Sequence, residues 1–299
     1  MFPKLSLETK LDTVQHHFST ADGIRYHYLT ANRDCSETIL LLSGFPQSSY
    51  TWRKVIPYLS KNYSIIAVDL PGQGDSDCPV DGYDTDTIAH RLKKLIDILD
   101  IKLIHLIGHD IGAWVAFSFA SNFPKTVKTL CLLDAGIPGV TLPNALPVTS
   151  DKVWKTWHFS FHLVPDLAES LIHGKELVYL DWFLRRKAAN PFVFDEKDMQ
   201  EYLRTFTKPG NLRAGMQFYR SVEQSALQNK KHIQYAKLSM PLLAVSSDQG
   251  SIPDMATPLR NFSSNIVQGV MIKDCGHFIP EEQPEILANH LINFIKENS

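Results

Sequence analysis

Nothing in the 299 residues approaches the ~20 consecutive apolar residues that a membrane-spanning helix needs. The opening run Met1-Phe2-Pro3-Lys4-Leu5-Ser6-Leu7-Glu8-Thr9-Lys10 also lacks the apolar segment of a secretory leader, so the sequence predicts a cytoplasmic protein with no membrane partner. Charge of one sign is equally scarce. Thirty Lys and Arg stand against 32 Asp and Glu, for a formal net charge of −2 without any block of like charges. That balance removes the electrostatic footprint of a nucleic-acid binder and the basic face an anionic lipid surface would require. Cysteine is sparse: Cys35, Cys78, Cys131 and Cys275 are widely separated and form no CxxC pair. This argues against a disulfide frame or a zinc site and for reduced thiols, with Cys275 a small packing residue near His277. Internal repeats and low-complexity tracts are absent as well. What remains is an ordinary globular composition, 44% hydrophobic and 21% charged, long enough for one large core plus an inserted lobe. The sequence is compatible with a homodimer without requiring one.

The ends of the chain carry buried-strand patterns. Thr13 to Tyr28 alternates around Ala21-Asp22-Gly23 as a hairpin does, and Ile39-Leu40-Leu41-Leu42-Ser43 reads as a buried strand. Ser64 to Leu70, Leu103 to Ile107, Thr129 to Asp134, Pro241 to Ser246 and Ile266 to Ile272 read the same way. Ile88, Leu92, Leu95, Ile96 and Leu99 form a helical stripe, and Leu287, Leu291, Phe294 and Ile295 mark a closing helix. An antiparallel start feeding repeated βα units predicts an α/β fold with a mostly parallel, doubly wound sheet. Between Asp134 and Met240 the pattern changes to aromatic-rich amphipathic helices broken by Pro and Gly. We divide the chain into a core, 1–137 and 236–299, and a helical cap, 138–235, inserted between two core strands. Ser150 or Asp151, Asp195 and Asn211 are the expected helix caps within it.

Gly108-His109-Asp110-Ile111-Gly112 lies between a strand pattern and the helical run Ala113 to Ala120. Small residues flank a sharp strand-to-helix elbow that lifts the Asp110 side chain above the sheet edge. A carboxylate there is a candidate nucleophile for an sp3 carbon, leaving an alkyl ester that water must then cleave. Parallel sheets bind ligands beyond the carboxyl ends of their strands, so other post-strand residues can meet over this elbow. After the first buried strand comes Ser43-Gly44-Phe45-Pro46, where the amides of Phe45 and Ile111 could form an oxyanion hole. After the last comes Asp274-Cys275-Gly276-His277-Phe278, and His277 has the acid–base range to activate water. Two carboxylates compete to orient it, Asp134 and Asp248, and spacing alone leaves both open. Asp69 to Ser76 reads as a structural turn; His105 and His109 read as packing groups.

Taken together, these segments resemble the α/β-hydrolase superfamily, in its epoxide hydrolase and dehalogenase branch, over nearly the whole length. Ser43 to Gln47 looks like the family's HGxP segment with Ser43 in place of His, Asp69 to Ser76 like its DxxGxGxS turn, Gly108 to Gly112 like its Asp elbow, and Cys275-Gly276-His277 like its histidine loop. In the cap, Met216 to Ser221 is similar to the segment that carries a ring-opening tyrosine of epoxide hydrolases, which implies that Tyr219 lies over Asp110. Trp157-His158-Phe159 puts His158 at the first donor position, a His/Tyr pair similar to the Cif-type epoxide hydrolases. That resemblance also favours Asp134 over Asp248 and leaves Gly250 where other epoxide hydrolases carry their acid.

The implied activity opens a small apolar epoxide to a vicinal diol with water, through an ester on Asp110 and with neither metal nor organic cofactor. A dehalogenase using the same nucleophile is the main alternative, and a retired hydrolase that only binds ligand is another. Fluoroacetate-type dehalogenases carry arginines where this chain has Ile111 and Trp114, and haloalkane dehalogenases usually place a tryptophan directly after the nucleophile.

Overall fold

The computed structural model describes residues 14–143, 149 and 153–298. Asp22 and Gly23, at φ 54° and 74°, form the turn between β1 (Gln15–Ala21) and β2 (Ile24–Ala31). Two consecutive positive-φ residues match the right-handed twist of a tight hairpin, as the sequence predicts. β2 then pairs antiparallel with β4 (Ser64–Val68), and every further pairing is parallel. Added to β3 (Thr38–Leu42), β5 (Ile104–His109), β6 (Val127–Leu133), β7 (Leu242–Ser247) and β8 (Val267–Ile272), these give an eight-stranded sheet ordered β1-β2-β4-β3-β5-β6-β7-β8. Each predicted strand is present, with ends moved by a residue or a few.

Both faces of the sheet are covered, which is why its central strands read as unbroken apolar runs rather than alternating ones. Successive residues of β3 and β4 go to opposite sides. Leu40, Leu42, Ile66 and Val68 pack with the helices Thr85–Ile98 and Ile111–Asn122, while Ile39, Leu41, Ile65 and Ala67 pack with Trp52, Leu59 and the closing helix Pro284–Glu297. The helix Ile111–Asn122 is buried from Ile111 through Ala120, so it has no solvated face and holds the elbow rigidly against the sheet.

Among the described residues, six helices lie between β6 and β7: Val153–Leu163, Leu167–Ile172, Glu176–Lys187, Glu196–Phe206, Asn211–Arg220 and Val222–Tyr235. Asp195 caps its helix through a reciprocal pair with Asp198, as expected. Asn211 does not cap. Gly210, at φ 92°, takes that position, and the Asn211 amide instead donates to the carbonyls of Gly74 and Thr205 at 3.0 and 2.8 Å. Bonding the Asp69–Ser76 turn to the cap outweighs a local cap here. Ser150 and Asp151 lie outside the described residues. On the core side Arg53 bridges Asp198 of the cap at 2.5 Å and Glu281 at 2.6 Å, a second polar seam between the two layers.

Candidate active site

Asp110 sits between β5 and the buried helix at φ 55°, ψ −123°, a sparsely populated conformation for a residue with a side chain. Holding it there costs on the order of 1–3 kcal/mol and persists only where the surroundings determine it. They do. A Cβ at Gly108 would lie 2.3 Å from the Gly112 carbonyl oxygen, so this elbow closes only with glycine. Asp110 Oδ1 accepts the Phe45 amide at 2.9 Å, and Oδ2 lies 3.4 Å from His277 Nε2. Of the two amides predicted to face the carboxylate, Phe45 makes this bond; Ile111 opens the helix beside Asp110 and makes no hydrogen bond to it. Enclosure opposes the charge on Asp110, but hydrogen bonding and charge from His277, helped by His109 and Lys187, hold its pKa well below the usual carboxylate range.

His277 Nδ1 lies 2.7 Å from Asp134 Oδ2. Asp134 is buried and left-handed at φ 40°, and its remaining capacity is taken by the amides of Ser251 (2.8 and 3.1 Å) and Ile252 (2.9 Å). Burial disfavours a charged His277, yet hydrogen bonds to Asp110 and Asp134 outweigh it, and the pKa of the ring is raised. Asp248 is exposed and does something else: it accepts the amides of Asp274 and Cys275, each at 3.1 Å, and so shapes the loop that carries His277. Of the two competing acids, the structure brings only Asp134 to the imidazole.

In the cap, His158 and Tyr219 are buried with ring centroids 5.5 Å apart and ring planes nearly perpendicular, at 87°. Tyr219 stands edge-on to Phe45 (5.5 Å) and Trp114 (6.0 Å), which ties it to the oxyanion segment and to the elbow helix. Burial raises the Tyr219 pKa well above the usual phenol value, and the negative charge of Asp110 adds to this. Burial lowers the His158 pKa well below that of free imidazole, and the charge of Lys187 lowers it further. Both rings therefore rest neutral, as hydrogen-bond donors should.

Sequence reading missed three groups. Lys187 is buried with its Nζ 3.5 Å from His158 Nε2; His162, also buried, meets the Tyr179 hydroxyl at 2.7 Å; and Glu282 accepts the amides of Gly276, Ala189 and Phe278 at 2.9, 2.7 and 3.0 Å. His109 packs against His277 and bonds the latter's carbonyl oxygen through Nε2 at 2.8 Å. A candidate cation cluster among the described residues, His27, Asp69 and Asp75, is occupied with bonds of its own. Asp69 accepts the amides of Ser49 and Asp75 at 2.6 and 2.9 Å, and Asp75 is held by Arg204 and Lys208. It is the structural turn that the sequence indicates.

Known proteins place this arrangement. Residues 37–284 match the model of the alpha/beta hydrolase fold family. A soluble epoxide hydrolase of Corynebacterium sp. (strain C12) is 35% identical over 285 residues, covering 94% of this chain and 97% of that protein. The crystal structure of Cfl2 from Burkholderia cenocepacia superposes with a TM-score of 0.94 at 55% identity, over 96% of this chain and 98% of that one. The epoxide hydrolase CorEH superposes at 0.88 with 33% identity, over 95% and 99% respectively. The chain belongs to the α/β hydrolase fold family, in the branch that contains the epoxide hydrolases.

Proposed function

We propose that the protein hydrolyses epoxides to vicinal diols through a covalent ester on Asp110. The observation that carries this reading is the position of Asp110: a strained, charged carboxylate with one oxygen on the Phe45 amide and the other at 3.4 Å from His277, next to a cap pair of buried neutral donors in which Tyr219 packs on Phe45 and His158 on Tyr219. A serine at this elbow would attack acyl carbons. A carboxylate displaces at carbon from behind, and the ring oxygen it releases needs a proton.

In the first step Asp110 forms a C–O bond to one epoxide carbon as the ring C–O bond breaks. Tyr219 and His158 hydrogen-bond the ring oxygen and deliver a proton to the developing alkoxide. In the second step His277 removes a proton from water, which adds to the carbonyl carbon of the ester; the oxyanion leans on the Phe45 and Ile111 amides, and as the intermediate collapses the acyl C–O bond breaks and the imidazolium returns its proton to the departing oxygen, which leaves as a hydroxyl of the diol. The first step prepares the second. Esterification neutralises one of the two carboxylates that hold a proton on His277, so its pKa falls when a base is needed. Asp134 keeps the imidazole oriented throughout.

The test is the intact mass of His277→Ala after exposure to epibromohydrin and, separately, to styrene oxide, which carries no halide. An Asp110 adduct with styrene oxide, and one that retains bromine with epibromohydrin, supports ring opening. Loss of bromine with no styrene oxide adduct would replace this reading with halide displacement, and no adduct from either would replace it with ligand binding.

A further inference from the structure

Lys187 ends the cap helix Glu176–Lys187, where a basic residue ordinarily complements the helix dipole from solvent. Here the side chain turns inward. It is 5% exposed, forms no salt bridge among the described residues, and lies with its Nζ 4.3 Å from the Phe183 ring centroid and 3.5 Å from His158 Nε2. A buried ammonium without a carboxylate in contact is costly and needs an account. The charged and titratable groups around it are Asp110, Asp134 and His277 from the core, and Lys155, His158 and His162 from the first cap helix. Its backbone is fixed as well, since the Lys187 carbonyl accepts the His277 amide at 2.9 Å.

We propose that Lys187 is a positioning residue for ring opening, its ammonium locking His158 into the tautomer with the proton on Nδ1 and polarising that proton toward the developing alkoxide. The proposal rests on the epoxide reading above and names a third cap group for it. An ammonium has three donors and no acceptor, so a contact with Nε2 makes that nitrogen the acceptor and leaves the proton on Nδ1. His158 Nδ1 is buried and has no partner among the described residues, which leaves its proton free for the substrate oxygen. When the alkoxide takes this proton, Lys187 passes one of its own to Nε2, so His158 stays neutral with its proton on Nε2 and Lys187 is left as the free amine. Burial lowers the lysine pKa, against the pull of Asp110 and Asp134, down to about 8, within reach of an ordinary pH profile. As a neutral amine it could also accept, and the tautomer would no longer be fixed.

The experiment is rapid-quench mass spectrometry of ester formation from styrene oxide in His277→Ala, where the ester accumulates and His277 no longer titrates. It compares Lys187, Lys187→Met and Lys187→Arg from pH 6 to 9.5. With Lys187 the rate should fall above about pH 8. Lys187→Met should react about 10-fold more slowly, no more than loss of His158 itself would cost, with the descending limb abolished. Lys187→Arg should retain the limb only beyond the measured range. A Lys187→Met or Lys187→Arg profile that keeps the limb near pH 8, however slow, overturns the proposal. Absence of ester with Lys187 intact instead overturns the epoxide reading itself.

Discussion

Gly250 stands against the carboxylate of Asp134: a Cβ at residue 250 would lie 2.7 and 2.8 Å from its two oxygens and 2.2 Å from Ser247 Oγ. A side chain after β7 and the acid after β6 therefore compete for one volume. Because Asp134 fills it, residue 250 must be glycine, and a carboxylate delivered from the β7 loop is excluded while Asp134 is present. Asp134→Asn should slow hydrolysis of the ester about 10⁴-fold, since the amide selects the wrong imidazole tautomer, while ester formation is little changed. Asp248→Asn should stay within a few-fold of the parent in both steps, because its two bonds are to loop amides. Single-turnover kinetics on both variants check this, and a large loss confined to Asp248→Asn would reassign the acid.

His277 should titrate above free imidazole in the resting protein, because Asp110 and Asp134 both favour its charged form. A histidine with a raised pKa is protonated below that value and becomes a base only above it. Removing the charge of Asp110 removes one of the two causes. Asp110→Asn, whose neutral carbonyl resembles the ester, should lower the His277 pKa, and NMR titration of the imidazole in the two proteins reads the difference. Equal values would mean that ester formation does not prime the base.

Tyr219→Phe and His158→Gln should each lower the rate of ester formation, by roughly 10- to 100-fold, since one of two donors remains in each. The double variant should lose more than either. Hydrolysis of ester once formed should be nearly unaffected in all three, so burst amplitude falls while the decay constant holds. A change confined to the decay constant would move these residues to the second step.

Gly44 packs directly beneath the nucleophile, and a Cβ there would fall 2.3 Å from Asp110 Oδ1. Gly44→Ala must push the carboxylate off the Phe45 amide. Losing one oxyanion donor typically costs about 3 kcal/mol of transition-state stabilisation, roughly 10²-fold in kcat, with an unchanged far-UV spectrum. Full activity would show that the amide is not needed.

How far the site could be read ahead depends on where its residues lie in the chain. Asp110, Phe45 and His277 follow strands within at most five residues, so strand patterning alone puts them at the same sheet edge. The choice between Asp134 and Asp248 needs three-dimensional packing, since both follow strands that are neighbours in the sheet. Lys187 is hidden more deeply. Arg185-Arg186-Lys187 is a run of three basic residues ending its helix, and only contact with the His277 loop, far away in sequence, shows that its last member turns inward. Asn211 misled for a related reason, a tertiary bond to the Gly74 carbonyl outbidding local capping.

Glu282 gives the last prediction, and it concerns stability. Its Oε2 accepts the amides of Gly276 and Ala189 and its Oε1 that of Phe278, so one carboxylate ties both flanks of His277 to the chain just beyond Lys187. Glu282→Ala leaves three amide donors without their partner. Each unsatisfied buried donor costs about 1–3 kcal/mol, less where water can enter, so a loss of roughly 2–4 kcal/mol is expected. For a chain of this size that lowers Tm by about 3–6 °C, readable by calorimetry. Activity at low temperature should fall as well, because the loop that aims His277 at Asp110 has lost its anchor. A variant with the parent Tm and reduced turnover would instead mean that Glu282 acts on the chemistry and not through the fold.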